Sequence, residues 1–152
     1  MSEALLFVHV FAATMFLGNI VVTAVWKCIA DRSDDLNLLR YSIKIVFVTD
    51  FIFTFGGAIL LAITGSVMIV NYGFTAENSP WLYCGVGGFA LSGLSWVVGL
   101  VPNQFRQRRL LNEASDFAAI AKPFRALARR WYVWGTMANV FAIAALFFMV
   151  TR

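Results

Sequence analysis

Four long stretches of this chain carry almost no charge, and nothing else limits its possible folds so strongly. Residues 4–26, 81–101 and 131–150 contain no Asp, Glu, Lys or Arg, and 45–70 contains only Asp50. About 20 mostly apolar residues suffice to cross a bilayer core as a helix, so each stretch can span. Lipid offers no hydrogen-bond partner to a backbone amide, so a spanning segment must pair its amides internally. Unbroken apolar runs fit helices and not the alternation of a membrane barrel. The composition agrees. With 13% charged and 61% hydrophobic residues, the chain cannot build the surface of a soluble domain, which is roughly 25% charged. Disorder is excluded by the same figures, and a disulfide framework by a count of two cysteines. The expected fold is all-α: a polytopic membrane four-helix bundle, a single transmembrane domain over 1–152. The first stretch reads as a permanent helix rather than a cleaved signal, because Met-Ser-Glu supplies no basic residue and the apolar run is too long.

Orientation follows from the basic residues. Lys27, Arg32, Arg40 and Lys44 lie in or beside the first connector, and Arg106, Arg108, Arg109, Lys122, Arg125, Arg129 and Arg130 in the third; only Arg152 lies on the other side. Positive charge stays in the cytoplasm, which predicts cytoplasmic first and third connectors and both termini outside. This bias explains the net charge of +4 without any nucleic-acid partner. Trp26, Trp81, Tyr83, Trp131, Tyr132 and Trp134 fall near span ends, where interfacial aromatics anchor helices. Ser33 is placed to cap a helix with Asp34 and Asp35 in its first turn, running into span two. Pro123 suits the first turn of the last helix. The stretch 103–130 mixes Phe105, Leu110, Leu111, Phe117 and Ile120 with arginines. It reads as an amphipathic segment on the inner leaflet or as an ordinary basic connector. Cys28 and Cys84 fall at opposite ends of their spans, too far apart to pair.

Polar and small residues mark the protein-facing side of a spanning helix. Steps of three and four give one stripe per span. Span one carries His9, Ala12, Phe16, Asn19 and Thr23; span two carries Asp50, Thr54, Gly57, Leu61, Thr64 and Met68. Span three carries Gly85, Gly88, Ser92, Ser95 and Gly99, a face open to another helix or to a flat ligand. Span four carries Gly135, Asn139, Ala142, Leu146 and Met149. Matched depths sort these into two sets. The outer set is His9, Thr64, Met68, Gly85, Gly88 and Met149; the inner set is Asp50, Asn19, Thr23, Thr54, Ser95 and Asn139.

Each set has a chemistry and a plainer alternative. His9 is the only histidine in the chain. An imidazole with thioethers at similar depth can ligate b-type haem iron, or copper, which favours the same donors. The alternative is a histidine hydrogen-bonded between helices. One histidine rules out a bis-histidine haem within one chain, although a dimer would supply a second. Asp50 is suited to holding a proton or cation, to pairing with Arg129 or Arg130, or to bonding with Thr54 and Asn19. No phosphate-binding loop, zinc-protease motif or metal-ligand cysteine spacing is present.

The segment HVFAATMFLGN (9–19), the basic connectors, Thr64-Gly65, the Trp before span three and Met149 near the end together form a pattern. It resembles a family of bacterial four-helix integral membrane proteins of unknown function. That family is in turn similar to the copper-resistance protein D type and the haem-binding protoporphyrinogen oxidase type. The resemblance implies a bacterial inner-membrane location and a haem role for His9, the counterpart of a first-helix histidine. The oxidase type carries further histidine and lysine residues in later helices; spans two to four here carry none, so its activity does not transfer. Three readings stand: a haem or copper protein using His9 in electron transfer or cofactor handling; a non-catalytic subunit or assembly factor binding partner helices, in a homodimer or larger complex; and a small proton- or cation-coupled transporter using Asp50.

Overall fold

The computed structural model describes residues 2–75 and 77–151; Arg152 lies outside them. Six α-helices and two π-helical segments follow one another: α1 (Glu3–Asp31), α2 (Leu36–Thr49), a π segment (Asp50–Phe55), α3 (Gly56–Tyr72), α4 (Pro80–Ser95), a π segment (Trp96–Leu100), α5 (Val101–Glu113) and α6 (Phe117–Val150). The π segments do not interrupt the rods they sit in, so four long apolar helices result, Glu3–Asp31, Leu36–Tyr72, Pro80–Glu113 and Phe117–Val150. The expected four-helix membrane architecture is what the chain forms. Its exposed apolar side chains, such as Phe7, Val70 and Val150, lie on these rods, where a bilayer would meet them.

Both π segments have local causes. Gly56 and Gly57 directly follow the first, and a glycine pair lets the hydrogen-bond ladder slip. Pro102 stands two residues beyond the second. It has no N–H for the carbonyl one turn back, and its ring crowds that carbonyl. Beside it the Asn103 side chain bonds back into the same turn, its Nδ2 donating to the Gly99 carbonyl at 2.8 Å.

The second rod has 37 residues and is roughly 55 Å long, against a hydrocarbon core of ~30 Å. Rods two, three and four are therefore longer than such a core, and they extend toward the end carrying the basic connectors, called here the basic end. Their projecting parts pack on each other through Leu39, Ile43, Leu111, Phe117, Phe124 and Ala128. The stretch expected to be an amphipathic connector is helical over most of its length. Residues 101–113 continue span three and turn Asn103, Gln104, Gln107 and Leu111 inward while Arg106, Arg108 and Arg109 stay outside.

Several finer expectations also change. The cap of α2 is Asp35, which accepts from the backbone N–H of Asn37 and Leu38, while Ser33 instead donates to the Ala30 carbonyl. The last helix starts at Phe117 and carries Pro123 in its interior, because Phe117 and Phe124 both bury into the projecting core and hold the earlier turns helical. Trp131 is only 4% exposed and belongs to the core rather than to an interfacial belt. On α6 the buried face is Gly135, Ala138, Ala142 and Ala145, so Leu146 points outward.

Candidate functional site

The inner polar set assembles around Asp50, whose side chain is buried where α2 gives way to the first π segment. Its Oδ1 accepts from Asn19 Nδ2 at 2.9 Å and, at 3.5 Å, from the Thr54 hydroxyl. Its Oδ2 accepts from Gln104 Nε2 at 2.7 Å. Asn19 Nδ2 also donates to Thr54 Oγ1 at 2.9 Å, tying α1 to both residues. Every partner is neutral. The expected pairing with Arg129 or Arg130 does not form, because both arginines are on the exposed surface of α6. Among the described residues Asp50 has no ion-pair partner; the ion pairs are Lys27–Asp31, Arg109–Glu113 and Arg125–Asp34.

Asp50 lies on the wall of a cavity of about 350 Å³ between the rods. Both π segments contribute to that wall, Asp50, Thr54 and Phe55 from one and Trp96, Val97 and Leu100 from the other. A π segment turns side chains away from the regular helical register, which is why such segments recur at functional sites. Phe16, Phe89, Trp131 and Tyr132 complete an aromatic lining. Thr23 and Asn139 also face the cavity, but they spend their donors on their own helices, at Asn19 O and Gly135 O. Ser95 bonds to Leu91 O and does not line the cavity.

The outer set divides between two helix pairs. His9 Nδ1 lies 2.7 Å from Thr64 Oγ1, joining α1 to α3. The Thr64 hydroxyl already donates to the Leu60 carbonyl at 2.7 Å. Its oxygen therefore accepts from His9 Nδ1–H, and the lone pair of the neutral ring is on Nε2. Gly65 supplies clearance, since a Cβ there would lie 3.4 Å from His9 Cε1. Met68 follows Thr64 one turn on. Met149, Gly85 and Gly88 belong instead to the α4–α6 contact. Met149 folds over Gly85, where a Cβ would lie 2.6 Å from its Cε, and Ala145 packs on Gly88. Trp134 covers Gly99. The small-residue face of span three is thus filled by α6 of the same chain. His9 does not line the main cavity, and among the described residues no group of three or more His, Cys, Asp and Glu could hold a metal ion.

Sequence reasoning missed several buried polar residues, among them Lys27, Asn103, Gln104 and Gln107. Gln104 caps Asp50, and Lys27 is 2% exposed at the basic end. Lys27 Nζ lies 2.9 Å from both oxygens of Asp31 and 5.4 Å from the ring centroids of Phe124 and Trp131. Asp31 also accepts from the Tyr132 hydroxyl at 2.9 Å. A spacing signal for Gln104 was available. Positions 103, 104, 107 and 111 share one helical face, opposite the three arginines.

Fold and site together define a multi-pass membrane protein with an aromatic, carboxylate-bearing cavity between its helices. The family description "Predicted integral membrane protein (DUF2269)" matches residues 3–152, nearly the whole chain, and the chain belongs to that family. No curated protein and no solved structure matches it.

Proposed function

We propose that this protein is a membrane-embedded carrier for a small, largely apolar cation, held at Asp50. One observation carries this reading: a buried carboxylate with only neutral partners faces an aromatic-lined cavity. A negative charge in a membrane interior is costly and calls for a proton or a cation. Aromatic faces attract cations, and a pocket of this size with few polar groups suits a small amphipathic molecule. Asn19, Thr54 and Gln104 fix the carboxylate without neutralising it. With the basic end in the cytoplasm, as the charge bias implies, Asp50 lies in the inner half of the membrane.

The test is titration of the purified protein with tetraphenylphosphonium, followed by quenching of tryptophan fluorescence. Saturable binding is expected, and Asp50→Asn should weaken it by about tenfold or more, equivalent to ~1.4 kcal/mol. Equal binding by Asp50→Asn would overturn the reading.

The free lone pair on His9 Nε2 favours a second reading, b-type haem or copper bound near the other end of α1. His9 would be the sole imidazole ligand, because the chain has no other histidine, and Met149 would not join it, being engaged on Gly85. When bound, haem would supply one-electron chemistry. A Soret band that disappears in His9→Ala would support this reading, and protein purified colourless and metal-free after growth with haem and copper would remove it.

A further inference from the structure

Asp50 stands at the inner end of a second polar feature, distinct from the cavity. Along the seam between α2 and α5, Gln107 is fully buried, and neither its Nε2 nor its Oε1 has a protein partner. Asn103 Oδ1, one turn away on the same face of α5, is likewise buried and unpartnered. Gln107 lies one turn after Gln104, which donates to Asp50. This face of α5 therefore runs from the basic end to the carboxylate as a succession of amide groups. At its outer end Arg40 donates to the carbonyls of Leu111 and Ala114, closing it with a side chain that has only to swing aside.

Buried amides without protein partners are satisfied by internal water, and sites lined with several such groups hold it. We infer that the Gln107–Asn103–Gln104 face of α5 is a hydrated path along which Asp50 exchanges protons with the aqueous phase at the basic end. This deepens the carrier reading and rests on it for its purpose. A proton passes from the seam's water to one Asp50 oxygen as the bound cation leaves, so the charge of the site is the same before and after. The water that gave the proton recovers one from the aqueous phase. Asn19 from α1, Thr54 from its own rod and Gln104 from α5 bond to Asp50, and Thr23 from α1, Trp96 from the second π segment, and Asn139 and Tyr132 from α6 share the cavity wall with it. Of these only Tyr132 is titratable, and its hydroxyl is committed to Asp31. Lys27, the nearest buried cation on α1, is committed to the same carboxylate.

The experiment is infrared spectroscopy of the whole protein in lipid, across the pH range in which it stays folded. The Asp50 carboxyl stretch is identified by its loss in Asp50→Asn. On transfer to heavy water the band should shift quickly in the wild type. It should shift about tenfold more slowly in Gln107→Met, which keeps the volume and removes both polar atoms. Asn103→Leu provides a second variant, removing the unpartnered Oδ1, and should slow the shift in the same direction. Equal rates in all three proteins, or a carboxyl that never protonates, would overturn the inference. Failure of tetraphenylphosphonium binding would instead sink the carrier reading and leave the proton path standing.

Discussion

At the scale of single residues, the chain keeps its buried charged side chains by giving each specific partners. Lys27 and Asp31 are an example: their side chains are 2% and 11% exposed, 2.9 Å apart. Removing one member of a buried pair leaves the other charge uncompensated, which costs about 3–5 kcal/mol. Lys27→Met should therefore lower the thermal unfolding temperature in detergent sharply, and Lys27→Met with Asp31→Asn should recover most of the loss. Additive losses in that double-mutant cycle would show that the pair is not coupled. His9 differs. Thr64 keeps its own bond to Leu60 when the imidazole is removed, so His9→Ala should cost only about 1 kcal/mol in the same measurement.

At the scale of elements, what matters is how closely the rods approach. A Cβ on Gly88 would meet the Phe141 carbonyl at 3.0 Å and the Ala145 backbone nitrogen at 3.2 Å. Backbone cannot rotate aside as a methionine can. Gly88→Ala should destabilise by about 1–3 kcal/mol, and Gly85→Ala by less, because Met149 can turn away. Gly87, which has nothing within 4 Å of its missing Cβ, serves as the control: Gly87→Ala should be neutral or gain up to ~1 kcal/mol. Equal effects at all three positions would mean that α4 and α6 do not pack as described. The stripes His9–Thr23, Asp50–Met68 and Gly85–Gly99 were legible in the sequence because polar and small residues recur there at helical steps. The α6 stripe was half legible. From Ala142 a step of three reaches Ala145 and a step of four reaches Leu146, and helical spacing allows both, so Leu146 was placed inward where Ala145 belongs. The π segments were not legible, since register slip depends on how Gly56-Gly57 and Pro102 are strained by packing. Gln104 and Gln107 were obscured by neighbouring arginines, which make the stretch look like a surface connector. The cavity could not be foreseen either, because helix rotation decides whether Trp96 and Trp131 face one another or lipid.

At the scale of the whole molecule, the four rods form a bundle with one basic end and one end nearly free of charge. Arg40, Gln104 and Lys27 join the first half of the chain to the second at or near the basic end, through Leu111 and Ala114, Asp50, and Phe124 and Trp131. The free thiols report the orientation, with Cys84 exposed toward the uncharged end and Cys28 toward the basic end. A membrane-impermeant maleimide applied to intact cells should label Cys84 and reach Cys28 only after permeabilisation; the reverse pattern would invert the molecule. The carrier reading is also decided at this scale, because the cavity exists only where all four rods meet. Its most direct test is a crystal structure with tetraphenylarsonium, whose arsenic is located by anomalous scattering. The account predicts a single strong peak inside the cavity beside Asp50, between Trp96 and Trp131. A peak confined to the lipid-facing surface, or seated against His9, would contradict it.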